Sequence, residues 1–395
     1  MCLWVTVTGA QDRMWVNAKI NGKTARLVFD TGCSVHLALF RPAAQRLDLK
    51  LRAPENQDRQ RAPYWLTDEC TVKLPWGFWG LARAKMQLSV FDFPSSVNQE
   101  GMDGAVGWPV FNRRILELNA AGAKFRFLKK VPREALAWTK LRVQTVNGVL
   151  ALEVPDGDRS NGIIFVDTGA PWGVDLSPEK WGEWKAAHPN EPTTLTRNYN
   201  PQTGWFVREQ AWSDRVSLEP LELTDVMVEE AVPLFPRRFD GDGGIIGLAA
   251  LKRLDCIVDG KEGVAYLRPK VTPESAHPSE QESPTLIFMP REGEVSDLVA
   301  HVAQLGSAFN SGIRNGDVLL KIGERDVVMW RSDPGERWSR NDSDDPFLKG
   351  STNNAVGAKL EFTLKRGNET VKMPVVLRDV AIYATRTNSR ALPSK

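Results

Sequence analysis

Two tripeptides carry the chemistry of this sequence, Asp30-Thr31-Gly32 and Asp167-Thr168-Gly169. A pair of carboxyl groups is able to add water to an amide carbonyl without a metal or a covalent intermediate. One member, ionised, takes a proton from the water, and the other, protonated, gives one to the carbonyl oxygen. Two carboxyls within hydrogen-bond reach cannot both ionise cheaply, so such a pair shares one proton. The hydroxyls of Thr31 and Thr168 both donate and accept, which suits them to lock two loops together. Gly32 and Gly169 lack Cβ, so backbone N–H groups can approach the carboxylates.

Elements able to position these residues occur twice. In the first half, Trp15 to Ile20 alternates as a strand, Asn21-Gly22 gives a hairpin turn, and Thr24 to Phe29 is a strand running into Asp30. In the second, Gly162-Ile163-Ile164-Phe165-Val166 runs into Asp167 in the same way. Each half then supplies a later apolar block ending in glycine, Ala105-Val106-Gly107 and Ile245-Ile246-Gly247, expected to pass behind its Asp-Thr-Gly loop. At ordinary residue usage about 0.07 copies of the tripeptide are expected by chance in such a chain. Two copies in register are therefore read as a duplication.

The rest of the sequence bounds the function. Its 395 residues exceed what one core usually organises. With 42% hydrophobic and 25% charged residues and a net charge of +2, it lacks the basic excess expected of a nucleic-acid partner. No apolar run reaches the roughly 18 to 20 residues of a membrane span. The opening Met1-Cys2-Leu3-Trp4 has neither a basic head nor a long apolar run, so no signal peptide is expected in the chain as written. Neither Cys2, Cys33, Cys70 and Cys256 nor His36, His188, His277 and His301 have metal-ligand spacing. No metal and no cofactor is expected. The run Asp342-Ser343-Asp344-Asp345 reads as a solvated loop.

Residues 271–283 are polar, proline-bearing and without periodicity, as linkers are. Beyond them, Ser307 to Val327 reads as a short helix start, a Gly316-Asp317 turn and an apolar strand. This stretch resembles a PDZ domain of the bacterial peptidase-associated kind. The expected division is 1–132 and 133–270 for two repeated lobes, 271–283 for the linker, 284–382 for a PDZ-like α+β domain and 383–395 for a tail. The expected class is mainly β.

Together these features resemble the aspartic peptidase superfamily of pepsins and retropepsins, and in particular bacterial retropepsin-like proteins with a PDZ domain. The resemblance implies an endopeptidase with Asp30 and Asp167 catalytic and Thr31, Gly32, Thr168 and Gly169 supporting them. Gly107 and Gly247 would lie on the strands behind the loops. It also implies a polypeptide substrate, a peptide terminus bound at the PDZ-like domain, and activity as a monomer, since one chain holds both aspartates. An extracytoplasmic location fits the family. The superfamily closes a flap over its substrate; the candidates are Trp76 and Gly77 in the first half and Gly204 and Trp205 in the second. One departure is that Cys33 and Ala170 follow the tripeptides, where pepsins carry Ser or Thr and retropepsins carry Ala. The alternative is an inactive peptide-binding scaffold on the same fold.

Overall fold

A computed structural model of the chain describes residues 13–53, 64–77, 82–91, 101–156, 159–200, 204–231, 244–270, 285–290, 297–326, 359–376 and 380–382. The expected linker, the tail, the opening residues and the acidic run Asp342–Asp345 lie outside them. The described chain is mainly β.

Turn chemistry and alternation build the first hairpin. Asn21 and Gly22 both adopt positive φ, 48° and 85°, the pair of conformations that a two-residue turn between right-twisted strands requires. Trp15–Ile20 and Lys23–Asp30 pair antiparallel around it, from Ile20↔Lys23 to Trp15↔Val28. Their inward residues Val16, Ala18, Ile20, Ala25 and Leu27 are buried. Lys23–Asp30 then pairs in parallel with Gly104–Gly107, ending on Asp30↔Gly107.

The second half repeats this arrangement. Val149–Asp156 pairs antiparallel with Arg159–Asp167, which pairs in parallel with Ile245–Gly247 and ends on Asp167↔Gly247. Strands from the two halves also join one sheet. Ile115–Asn119 and Lys124–Leu128 lie beside Leu254–Asp259 and Val264–Pro269, with Ile115↔Asp259 through Leu118↔Cys256 in register. Both halves accordingly fall in one compact unit, Met1–Trp184, Tyr199–Phe206 and Trp212–Ser275.

The second unit takes in Ala276–Lys395 together with Lys185–Asn198 and Val207–Ala211. Its sheet runs Glu369–Val376, Lys359–Arg366, Val318–Ile322, Leu298–Val302, Leu286–Pro290, Val380–Ile382. Its core gathers Leu286, Phe288, Ala300, Ile313, Leu319 and Phe362. Arg366 holds Asp317 with two bonds, Nε to Oδ1 at 2.8 Å and Nη2 to Oδ2 at 2.7 Å. Burial pushes the Asp317 pKa up, but the Arg366 bonds prevail and hold it below the ordinary carboxylate range. This unit is wider than the 284–382 expected from the linker. The reason is polar: Gln304 N donates to Glu209 Oε1 at 2.9 Å, Thr193 Oγ1 donates to the same atom at 2.5 Å, and Thr193 N donates to Gln304 O at 3.1 Å.

Among the described residues no helix is long and apolar enough to cross a membrane.

Candidate active site

Each aspartate sits at the last position of a strand, so its carboxyl leaves the sheet edge at a fixed point. The loops that follow are held in matching ways. Gly107 N donates to His36 O at 3.0 Å and Trp108 N to Cys33 O at 3.2 Å; Gly247 N donates to Gly173 O at 2.7 Å and Leu248 N to Ala170 O at 2.8 Å. His36 stands as far beyond Asp30 as Gly173 beyond Asp167, and Cys33 as far as Ala170. Each apolar block thus grips the same two points of its own loop.

The threonines join the loops to each other. Thr31 Oγ1 donates to Val166 O at 2.6 Å and accepts from Thr168 N at 3.1 Å. Thr168 Oγ1 donates to Phe29 O at 2.9 Å and accepts from Thr31 N at 3.0 Å. Both side chains are fully buried. Four reciprocal bonds in a dry setting leave each loop little freedom relative to the other.

This interlock brings Asp30 and Asp167 within hydrogen-bond reach of one another. Gly32 N donates to Asp30 Oδ1 at 2.8 Å, and Gly169 N and Ala170 N donate to Asp167 Oδ1 at 2.9 and 3.1 Å. The closeness explains the glycines. A Cβ on Gly32 would stand 2.4 Å from Asp167 Cγ, and one on Gly169 would stand 2.5 Å from Asp30 Cγ. Burial, then the charge and hydrogen bond of Asp167, push the Asp30 pKa well above the ordinary carboxylate range, against the bonds from the Gly32 and Cys33 backbone. The Cys33 thiol is directed to Val35 O, 3.6 Å away.

The flap candidates separate. In the first half, Cys70–Lys73 and Ala84–Met86 pair antiparallel, Cys70↔Met86 through Val72↔Ala84, so a hairpin does form in this interval. Gly77 takes positive φ in its turn. Trp76, however, packs its ring against Phe111, Phe125 and Phe127 at 5.7, 5.5 and 5.4 Å, and its exposure is partial. In the second half, Thr194–Asn200 neighbours Gly204–Leu218 in the sheet, with Gly204 and Trp205 opening the latter strand. The joining residues 201–203 and the Trp205 side chain lie outside the described set.

One residue that sequence reasoning missed reaches the site. Arg13 Nη1 donates to Gly169 O at 3.4 Å and lies 3.9 Å from Met102 Sδ. Its hairpin register carried the signal: extending Trp15↔Val28 outward by two positions sets Arg13 opposite Asp30. Among the described residues no group of three or more His, Cys, Asp or Glu is placed to hold a metal. No protein-family model matches the chain, and no curated protein does.

Proposed function

We propose that this chain is an aspartic endopeptidase in which Asp30 and Asp167 activate one water between them. The observation that supports this most is the pairing of the two carboxyls by the reciprocal Thr31–Thr168 bonds. On this reading the two halves are the lobes of an acid-protease fold, and the 284–382 region is a PDZ-like module that binds a peptide end or governs access.

The chemistry follows from one proton held by the pair. The ionised carboxyl removes a proton from water as its oxygen attacks the scissile carbonyl, and the protonated carboxyl gives its proton to the carbonyl oxygen. Collapse of the tetrahedral adduct then breaks the C–N bond as the carboxyl that took a proton from water gives it to the leaving nitrogen and the other, now ionised, takes a proton from an adduct hydroxyl, which restores the single shared proton. The elevated proton affinity of Asp30 suits this, because an ordinary carboxyl would be ionised at weakly acidic pH. The Gly32 and Gly169 N–H groups fix the carboxylates during both steps. An extended substrate would lie as an added strand beneath the hairpins.

The test is incubation with a mixed peptide library across pH 3 to 8, with and without pepstatin. Internal cleavage blocked by pepstatin supports the reading. Binding of peptides without cleavage at any pH would instead favour a scaffold.

A further inference from the structure

Arg13 is placed by the first hairpin and by the loop of the second half at once. The bond from Phe29 N to Met14 O at 2.8 Å continues the antiparallel ladder past Trp15, so Arg13 stands next in line, directly across from Asp30. Residues directly opposite in such a pair project to the same face. Its guanidinium then reaches the backbone of the other loop at Gly169 O.

We propose that Arg13 is a positioning residue for the aspartate pair, whose fixed positive charge balances the single negative charge of the pair when it holds one proton. This rests on the aspartic peptidase reading above. Among the described residues Arg13 has no carboxylate in an ion pair; burial lowers its pKa, and the opposite charges that act against this are Asp30 and Asp167. Among the described residues, the elements around the pair bring few competitors. Gly104–Gly107 and Ile245–Gly247 carry no charged side chain. The loop after Asp30 brings Cys33, directed to Val35 O, and His36, whose burial lowers its pKa. The loop after Asp167 runs Ala170-Pro171-Trp172-Gly173-Val174 before the next titratable group, Asp175. On Lys23–Asp30, the Arg26 guanidinium lies over the Trp15 ring, 3.9 Å from its centroid, and Asp103 is paired with Arg46 at 2.6 Å.

The sign is fixed by charge. A cation favours each loss of a proton from the pair, from neutral to singly ionised and from singly to doubly ionised. Removing it moves both transitions to higher pH. A bell-shaped profile of kcat/KM therefore slides upward as a whole, whereas a merely structural defect lowers it at every pH.

The experiment compares the full-length wild type with Arg13→Gln, Arg13→Lys and Arg13→Met by two readouts. One is the pH profile of kcat/KM; the other is carbon-13 NMR titration of the aspartate γ-carbons, assigned with Asp30→Asn and Asp167→Asn, which needs no substrate. Arg13→Gln is expected to lose about tenfold on the acidic limb and to gain on the alkaline limb, so that the profiles cross. Arg13→Lys restores most of the wild-type position. Arg13→Met, which keeps an apolar stem, decides the case if Arg13→Gln does not fold. A uniform loss with both limbs in place, or carboxyl titrations that stay or move lower, overturns the inference. If no peptide is cleaved by the wild type but the carboxyl titrations rise in Arg13→Gln, the peptidase reading falls and the role of Arg13 stands.

Discussion

The two Asp-Thr-Gly halves agree in backbone and differ in the side chains next to it. Both end a strand on the aspartate, both pair that strand in parallel with an apolar block, and both fasten the loop at the same two carbonyls. Arg13 stands as far before Asp30 as Leu150 stands before Asp167, and each contacts the opposite loop. Arg13 does so with its guanidinium at Gly169 O, and Leu150 with its backbone N–H at Thr31 O, 3.1 Å away. The residues after the tripeptides, Cys33 and Ala170, differ as well. Backbone that fixes two carboxyls against each other has to be alike on both sides. A charge that serves the pair as a whole is needed only once.

Substitutions in matched positions are the means to break this comparison. The largest effect is expected at the glycines: Gly32→Ala and Gly169→Ala each drive a methyl into the opposite carboxyl, and a displacement of that group by about 1 Å costs on the order of a hundredfold in kcat/KM. Equal losses support the matched loops; a fully active variant contradicts the close approach. Thr31→Val and Thr168→Val come next. Each leaves a buried carbonyl and N–H without a partner, a loss of about 1–3 kcal/mol by urea unfolding. The two should cost alike, and a harmless substitution on either side would show that the interlock holds nothing.

A smaller effect concerns stability and pH. Since the folded-state pKa of Asp30 is raised, its stability contribution is complete below the unfolded carboxyl range and is lost as pH rises toward the folded value. Asp30→Asn escapes this loss. Its Tm should therefore gain on the wild type as pH rises above the unfolded carboxyl range, about 2–4 °C for each kcal/mol; a Tm difference that does not change with pH would contradict the raised proton affinity. The smallest change expected is in the acidic limb of the activity profile, centred on an optimum of roughly pH 4 to 6. Ala170 carries no hydroxyl and the Cys33 thiol is directed elsewhere, so Ala170→Ser or Cys33→Ser supplies a new donor and shifts that limb to lower pH. A limb that stays or rises with either serine ends this argument.

Local signals in the sequence were the ones that carried over into the structure. Asn21-Gly22 forms its turn, the apolar-apolar-glycine blocks lie behind the aspartates, and Thr31 meets Thr168, because each rests on short-range conformational preference or on a few adjacent residues. What depends on distant packing was not legible. Trp76 beside Gly77 reads as a loop tip, yet its ring joins Phe111, Phe125 and Phe127, which are far along the chain. The grouping of Lys185–Asn198 with the C-terminal module rests on Thr193, Glu209 and Gln304, polar residues that no periodicity marks. Arg13 lies between these cases. It becomes visible only when the hairpin register is carried past the last residues of the strand.

The central claim, one shared proton on two necessary carboxyls, is tested most directly by cleavage of a mixed peptide library at weakly acidic pH with wild type, Asp30→Asn and Asp167→Asn. Loss of either carboxyl is expected to lower kcat/KM by about 10²–10⁴-fold, with the circular dichroism of the folded protein preserved in both variants. Cleavage that persists in either variant at the wild-type rate would contradict the account.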